Sequence, residues 1–351
     1  MSLAPVTHIL PVTYIRRERV LPVAGKVLVR KGQKVSATDT IVEADLVAEH
    51  LLLDIPRALG ITVSQAEKQI KCQAGDDLNQ GDVIAGPVGF TRRIVRVPTN
   101  GKVVLVGNGQ VLIEVGGQPF QIKAGVPGEV TELIGDRGAV VETTGALIQG
   151  IWGNGKIEFG LMTVLLKSPD HVLTPDQLDV SLRGSIILAG YCEDAEVFRA
   201  AEELPLRGLI LSGMAVELIP QALQKPFSII VLDGFSQRPM NSVAYKLLST
   251  NDRREVAMNA EAWDTYAGTR PEVVIPLPGT DALSMPKDTN VFAPDKQVRV
   301  LRAPHAGVVA TLVNLSGVVA FPGGLRAQAA EVRLETGELV LVPLSNLEVL
   351  E

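Results

Sequence analysis

Short apolar runs rich in Val, Ile and Leu recur along the chain, separated by turns that contain Gly or Pro. "GVVATLV", "AEVRLE" and "ELVLVP" are typical of these runs. β-branched residues favour strands, and Gly and Pro favour the turns between them. The pattern therefore predicts a mainly β protein, and the length of 351 residues predicts several domains.

The N-terminal part contains a repeat. In "GQKVSATDTI" (Gly32–Ile41) and "GDDLNQGDVI" (Gly75–Ile84), an apolar residue, an Asp and an Ile follow the Gly at the same spacing. "PVAGKVLV" (Pro22–Val29) and "PTNGKVVL" (Pro98–Leu105) form a second repeat. Each copy of the repeats is too short to bury its apolar face alone. We therefore expect the two copies to interlock into one sandwich over residues 1–117.

A helical insertion is predicted within this module, over about residues 55–71. Asp54 precedes Pro56, which is favoured in the first turn of a helix. Ser64 and Glu67 have the spacing of a capping box. We expect this helix to pack onto the sandwich.

The module resembles a barrel-sandwich hybrid, the fold of biotinyl and lipoyl carrier domains. The residues that carry the resemblance are Gly32, Val35, Asp39, Ile41, Gly75, Leu78, Asp82 and Ile84, with the turns at Pro22 and Pro98. Carrier domains attach their cofactor to a Lys at a hairpin tip, but the runs after Ile41 and Ile84 contain no Lys. We expect no cofactor, as in the related domains of RNA polymerase large subunits and membrane-complex subunits.

A second β-rich module is predicted over residues 118–173, and it includes the glycine-dense stretch Glu142–Gly160. A phosphate-binding loop would require a helix directly after the glycines, whereas "IEFG" after Lys156 predicts a strand. The glycines are therefore interpreted as turn and bulge positions. The alternative is a contact surface around Trp152, since a Trp flanked by glycines can serve as an exposed anchor.

The pattern changes at residue 174, where "TPDQ" has the signature of a helix start. Apolar runs that end in Gly alternate with helical spacing from there to residue 275, which predicts a small three-layer α/β domain with a parallel sheet. Ligands in such sheets bind at the carboxyl ends of the strands. The candidate ligand-binding residues are Gly190, Ser212, Gly213, Asp233, Gly234 and Arg238. The alternative is that these glycines only form tight turns.

Residues 276–297 are rich in Pro, Asp and Thr and predict a linker, and residues 298–351 predict a five-stranded SH3-like barrel. "RVLRAPHAGVVATLV" resembles the KOW motif of ribosomal and transcription-elongation proteins, in which Gly307 would allow a sharp turn. The resemblance implies contact with RNA or with a protein partner. Four Arg against five Glu in this module favour protein. The candidate contact residues are Arg302, Gly307, Phe321 and Arg326.

The strongest basic clusters are "IRRER" (Ile15–Arg19), "RKGQK" (Arg30–Lys34) and "TRRIVR" (Thr91–Arg96). In the third cluster Arg92 and Arg96 would share one face of a strand. This face is either the solvated side of the strand or a surface for anions or RNA.

Composition and charge further narrow the range of possible functions. With a net charge of -6, the chain has no overall positive charge that would favour binding to nucleic acid or to an anionic membrane. No apolar run approaches the roughly 18 residues of a membrane span. Cys72 and Cys192 are interpreted as reduced, buried thiols, which predicts a cytoplasmic location. The four His lie in separate segments without metal-ligand spacing, and we interpret each as a surface or capping residue.

The order of modules along the whole chain also resembles a family of bacterial proteins, and this resemblance implies a fold but no activity. We find no catalytic motif in the sequence. The leading hypothesis is a non-catalytic scaffold or interaction protein associated with the transcription or translation machinery. The alternatives are a small-ligand sensor or enzyme that uses the strand ends of the α/β domain, and an RNA-binding protein that uses the KOW-like barrel.

Overall fold

The structure, a computed structural model, describes residues 3–44, 49–90, 92–115, 119–264, 269–278, 285–287 and 289–350. Within them the chain is mainly β and forms several sheets, which confirms the coarse prediction. Two compact units are present. Unit 1 comprises Met1–Val20, Val27–Val42 and Ile122–Glu351, and unit 2 comprises Leu21–Lys26 and Glu43–Gln121.

The strands and helices have the following bounds. The strands are β1 Leu3–Thr7, β2 Ile9–Val20, β3 Lys26–Val27, β4 Lys34–Val35, β5 Thr40–Ala44, β6 Glu49–Asp54, β7 Asp77–Leu78, β8 Val83–Val88, β9 Arg93–Arg96, β10 Gly101–Gly107, β11 Gln110–Val115, β12 Phe120–Lys123, β13 Gly128–Ile134, β14 Gly138–Gln149, β15 Trp152–Gly153, β16 Ile157–Val164, β17 Ile186–Cys192, β18 Gly208–Met214, β19 Ser228–Gly234, β20 Glu255–Asn259, β21 Glu272–Pro276, β22 Thr289–Val291, β23 Gln297–Val300, β24 Val309–Ala320, β25 Arg326–Leu334, β26 Leu339–Pro343 and β27 Leu347–Leu350. The helices are α1 Ile55–Leu59, α2 Val63–Glu67, α3 Glu196–Glu203, α4 Ile219–Gln224 and α5 Ser242–Ser249.

An eleven-stranded sheet forms the centre of unit 1, in the order β15-β19-β18-β17-β16-β20-β21-β14-β13-β4, with β2 also paired to β14. Strands β16 to β19 run parallel to one another, whereas β15 pairs antiparallel with β19, β20 pairs antiparallel with β16, and β21 pairs antiparallel with β20. Every residue of β17 and β18 is buried, as expected for parallel strands covered on both faces. Residues of α3 and α4 pack on one face and residues of α5 on the other.

A second sheet of unit 1 has the order β22-β1-β27-β23-β24-β25-β26. Five of its strands, β23 to β27, come from the predicted C-terminal module. The other two differ from the prediction, since β1 comes from the N-terminus and β22 from the predicted linker 276–297. Residues 279–284 and 288 of that linker lie outside the described residues.

The division into units also differs from the predicted boundaries at residues 117 and 173. Strand β2 pairs along β14, and β14 also pairs with β21. Residues from the predicted first, second and third modules therefore share one sheet. Strand pairing between segments more than 100 residues apart leaves no trace in the local periodicity on which the boundaries were based.

Unit 2 contains a four-stranded sheet in the order β6-β11-β10-β7 and the two-stranded pair β8-β9. Helices α1 and α2 contribute Ile55, Leu59 and Ala66 to the same apolar cluster as the strands. The predicted insertion is thus two short helices, because Gly60 adopts a left-handed conformation after α1. The capping box of α2 is formed by Thr62 and Gln65, two residues earlier than predicted.

The repeated stretches at residues 32–41 and 75–84 have the same local structure. The Asp39 carboxylate accepts a hydrogen bond from the Ser36 N–H at 2.8 Å, and the Asp82 carboxylate accepts one from the Asn79 N–H at 2.8 Å. The first stretch lies in unit 1, and the second lies entirely in unit 2. The repeated Asp residues therefore cap turns, which gives the repeat an architectural role.

Candidate functional site

The carboxyl end of β19 was the predicted centre of a ligand site, and the structure fills it with protein groups. The Asp233 carboxylate accepts hydrogen bonds from the Asn241 side chain at 2.7 Å and the Asn241 N–H at 2.9 Å. Arg299 of β23 donates to the same carboxylate at 2.9 Å. Burial raises the pKa of Asp233, against the opposing effect of Arg299. Asp233 thus joins two sheets of unit 1.

A network of buried charges continues from Asp233. Arg299 also donates to Glu348 of β27 and to the Leu232 carbonyl at 3.2 Å. The Thr7 hydroxyl donates to Glu348 at 2.8 Å, and the Arg270 guanidinium lies 3.9 Å from it. Each charge therefore faces an opposite charge, which is what burial of ionised groups requires.

The other residues predicted at the strand ends are used in packing. A Cβ at Gly190 would lie 1.6 Å from the His171 carbonyl oxygen, so backbone packing alone requires glycine there. Gly213 pairs with Gly234 across β18 and β19. Ser212 is buried, and its hydroxyl has no hydrogen-bond partner among the described residues.

Two residues from different predicted sites are brought together. The Arg238 side chain packs against Gly307, where a Cβ would lie 3.3 Å from the Arg238 Cδ. Gly307 has a φ of 83°, the left-handed conformation expected of a sharp turn. The strand-end site and the KOW-like turn are therefore neighbours in unit 1.

The predicted contact residue Trp152 is part of the core rather than an exposed anchor. It is half-buried and pairs with Val231 of β19. Its ring packs edge-to-face on Phe235 with the centroids 6.2 Å apart. Arg92 and Arg96 do not share a strand face as predicted, because β9 begins at Arg93 and Arg92 precedes it with a φ of 51°. Both are exposed, and Arg96 donates to the Gly81 carbonyl at 2.6 Å.

The C-terminal hairpin, which we define as residues 314–328, contains the remaining predicted contact residues except Arg302, which is exposed outside it. Phe321 is half-buried and Arg326 is exposed at its tip, where the Phe321 N–H donates to the Leu325 carbonyl at 2.8 Å. Two register shifts between β24 and β25 interrupt the alternation of the strand. Residues 314–318 are all exposed, Leu315 and Val318 among them, so both faces of β24 reach solvent in the hairpin.

Sequence reasoning did not predict a cavity of about 350 Å³ in unit 1, which we call the arginine pocket. Its polar lining includes His8, Tyr14, Arg16, Arg17, Glu18, Arg19, Gln149, Asn259, Glu261, Thr269, Arg270 and Glu272. Four arginines and three glutamates around one cavity are a concentration of charge that requires pairing.

Arg17 and Arg19 follow Ile15 at intervals of two and so share its face of β2. Arg17 binds Glu272, with Nε donating at 2.8 Å, and Arg19 binds Glu261, with Nη1 donating at 2.8 Å. Burial alone would raise the pKa of Glu261, but the hydrogen bond and charge of Arg19, the hydrogen bond from Asn259 and the charge of Arg17 together outweigh it and lower the pKa. Both pairs use two guanidinium nitrogens and hold the wall of the pocket in shape.

Arg16 and Tyr14 lie on the other face of β2 and meet Glu142 of β14. Arg16 pairs directly opposite Glu142 across the strands and is within 3.5 Å of it. Burial and a hydrogen bond with Glu142 raise the pKa of Tyr14 to about 12. The Tyr14 hydroxyl therefore remains a neutral hydrogen-bond donor at physiological pH.

Arg270 is held differently, by backbone groups and an aromatic ring. Its Nε donates to the Gly150 carbonyl at 2.9 Å, and Nη1 donates to the Val6 carbonyl at 3.1 Å. Its guanidinium lies 4.3 Å from the centroid of the Trp263 ring. Burial lowers the pKa of Arg270 to about 10, so the group is still charged at neutral pH.

The sequence contained one signal for this pocket, the "IRRER" cluster, because Arg17 and Arg19 alternate with the buried Ile15. The interpretation of His8 as a surface or capping residue is wrong. His8 lies between β1 and β2, is buried and lines the pocket. The described residues contain no group of three or more His, Cys, Asp or Glu that could hold a metal ion.

The two cysteines are free and buried, as predicted. Burial raises the pKa of the Cys192 thiol to about 12, and the thiolate is the reactive form. We therefore expect iodoacetamide at about pH 8 to label Cys192 only after unfolding, as measured by peptide mass spectrometry. Cys72, which is 7% exposed, should react sooner and serves as the internal control. Rapid labelling of Cys192 in the native protein would contradict this expectation.

No helix among the described residues is long and apolar enough to cross a membrane. Comparison of the sequence with protein-family models and with curated proteins found no match.

Proposed function

We propose that the protein is a non-catalytic interaction protein that contacts a protein partner through the C-terminal hairpin. The observation that supports this is the exposure of apolar side chains on a projecting pair of strands. Leu325 is 61% exposed and Val318 is 59% exposed, and Leu315 is exposed beside them. Apolar side chains grouped on a surface are typical of protein contacts.

The composition of the hairpin favours protein over RNA as the partner. Arg326 is the only charged residue between 314 and 328. Binding to RNA gains affinity from neutralised phosphates, and a single arginine contributes little. The resemblance to the KOW motif supports a partner from the transcription or translation machinery.

The proposal includes a fold identity for each part of the chain. We propose a cofactor-free barrel-sandwich hybrid for the repeat-containing region, a small α/β domain around β16 to β19, and an SH3-like barrel built from β23 to β27. The parallel register of β16 to β19 supports the second assignment. The antiparallel pairing among β23 to β27 supports the third assignment, the SH3-like barrel.

The hydrogen bonds that hold the Asp233 carboxylate support a non-catalytic role for the strand ends. Both oxygens of this carboxylate accept hydrogen bonds, and one of them also receives Arg299. A carboxylate held in this way is not positioned to exchange a proton with a bound substrate. The strand-end enzyme hypothesis is therefore the less supported alternative.

Replacement of both Val318 and Leu325 by serine is expected to abolish partner binding without lowering stability, because both side chains are exposed. The measurement is native mass spectrometry of untagged protein purified gently from its own cells. The wild-type chain should carry a second, identifiable protein chain that the double variant has lost.

The matched control is Leu161→Ser, an exposed leucine on β16 away from the hairpin. This variant should retain the partner. Wild-type protein that carries no other chain, or a hairpin variant that keeps its partner, would show the proposal to be wrong.

A further inference from the structure

We infer that the β8–β9 hairpin of unit 2 binds single-stranded nucleic acid. We call this surface the basic hairpin, and it comprises β8, β9 and the residues Phe90 and Arg92 between them. Between Val83 and Arg96 the sequence has three arginines and no acidic residue, although the net charge of the chain is -6. The surface shares no residue with the C-terminal hairpin, so the inference is independent of the proposed protein contact.

The basic hairpin exposes an aromatic ring at its turn. Phe90 is fully exposed, and the only other large apolar side chain exposed among the described residues of the hairpin is Ile94, at 39%. A protein partner would gain more from a larger group of apolar side chains. A single ring beside positive charge is suited to stacking on an unpaired base, because every base presents a π-face.

The arginines of the basic hairpin are exposed, and their charges are not neutralised within the protein. Arg96 donates to the Gly81 carbonyl at 2.6 Å, and Arg93 lies against Gly60, where a Cβ would meet its Nη1 at 2.6 Å. Among the described residues Arg92, Arg93 and Arg96 form no ion pair, whereas the arginines of the arginine pocket do. Arginines that remain unpaired are available to the phosphates of a ligand.

The carboxylates of the neighbouring segments of unit 2 are used in turns. Asp54, Asp76 and Asp82 each accept a hydrogen bond from a backbone N–H three residues away. A further cation lies on the other side of β8, because the Lys71 N–H donates to the Ile84 carbonyl at 2.8 Å and the Lys71 side chain is exposed. The positive charge therefore extends beyond the three arginines.

The positions of these charges favour a strand of nucleic acid over an anionic membrane. Along β9 the chain rises about 10 Å from Arg93 to Arg96, so the arginines follow the length of the hairpin and do not form a ring around Phe90. A membrane surface meets its cations at one level. The phosphates of a single strand instead follow a line, and its unpaired bases are free to stack on a side chain.

The test is binding of the full chain to a fluorescein-labelled single strand of about 12 nucleotides, a length that single-strand sites cover, followed by fluorescence anisotropy. RNA and DNA strands of the same mixed sequence are compared with the corresponding DNA duplex. At least one single strand should bind more tightly than the duplex, and its affinity should fall as salt rises from about 50 to 200 mM. Vesicles of phosphatidylserine and phosphatidylcholine in equal parts test the membrane alternative by co-sedimentation.

Two variants separate stacking from charge. Phe90→Ala should weaken binding of the single strand about tenfold through the loss of one stacked base. Its control is Leu105→Ala, an exposed apolar residue of β10 in unit 2. Arg92→Gln combined with Arg93→Gln should weaken binding at least about tenfold at low salt and reduce the dependence on salt.

The control for charge is Arg183→Gln combined with Arg199→Gln, two exposed arginines of unit 1, which should bind like the wild type. The protein with Val318→Ser and Leu325→Ser should also bind the single strand unchanged, which separates this inference from the proposed function. The inference is overturned by the absence of binding to either single strand at low salt, by binding to vesicles alone, or by unchanged binding to the double arginine variant of the basic hairpin.

Discussion

Replacement of Arg299 by methionine is expected to lower the free energy of unfolding by about 3–5 kcal/mol. Arg299 is 2% exposed and lies between Asp233 and Glu348, so its loss leaves two carboxylates buried without their common partner. The Leu232 carbonyl loses a donor as well. Urea unfolding of unit 1, followed by tryptophan fluorescence, gives the change directly.

Two further variants separate charge from packing. Arg326→Met removes an exposed arginine from the same sheet and should change stability by less than about 0.5 kcal/mol. Asp233→Asn combined with Arg299→Met removes one of the two carboxylates left without their partner, and it should recover part of the lost free energy of unfolding. An Arg299→Met protein as stable as the wild type would mean that the network does not hold the two sheets of unit 1 together.

Replacement of Gly190 by alanine is expected to destabilise unit 1 by about 3 kcal/mol, the upper end of the usual cost of overpacking. The added Cβ would lie 1.6 Å from the His171 carbonyl oxygen, a backbone atom that accepts a hydrogen bond from the Tyr191 N–H at 2.9 Å and cannot move aside as a flexible side chain can. The midpoint of urea unfolding measures the effect.

Gly107→Ala, in unit 2, is a control for the added methyl group alone, because a Cβ there meets no atom within 4 Å and the backbone is not left-handed. Its unfolding is followed by far-UV circular dichroism, since both tryptophans lie in unit 1. Its effect should be within about 0.5 kcal/mol. The stability of Gly190→Ala distinguishes the two interpretations of Gly190, a packing requirement and a ligand site. If this glycine served only a ligand, Gly190→Ala would fold with wild-type stability, and the packing explanation would be wrong.

Local patterns predicted several of the individual elements. The apolar runs that end in Gly after residue 174 are β17, β18 and β19, and the helical spacing between them corresponds to α3 and α4. The Thr174–Gln177 capping box is also present, although it opens a single 3-10 turn. These features depend on residues within about ten positions of one another, which the sequence displays directly.

The candidate sites depended on contacts between distant segments, and here the sequence was less informative. Asp233 was correctly placed at a strand end, but its partner Arg299 is 66 residues away. Trp152 has flanking glycines that resemble an exposed turn, yet those glycines allow close packing on β19. Exposure of Arg326 at the C-terminal hairpin agrees with the sequence interpretation, because the tip is a local turn.

The sequence by itself determined the mainly β character of the chain, the alternation of strands and short helices from β17 to β19, and the position of Asp233 at a strand end. Only the tertiary structure decided that β1 joins the C-terminal sheet, that β2 lies along β14, and that Arg17 and Arg19 meet Glu272 and Glu261. The reason is physical. Turns and caps are set by hydrogen bonds between neighbours in the chain, whereas strand pairing and buried ion pairs are set by which distant groups the fold brings together, and local sequence carries no record of that choice.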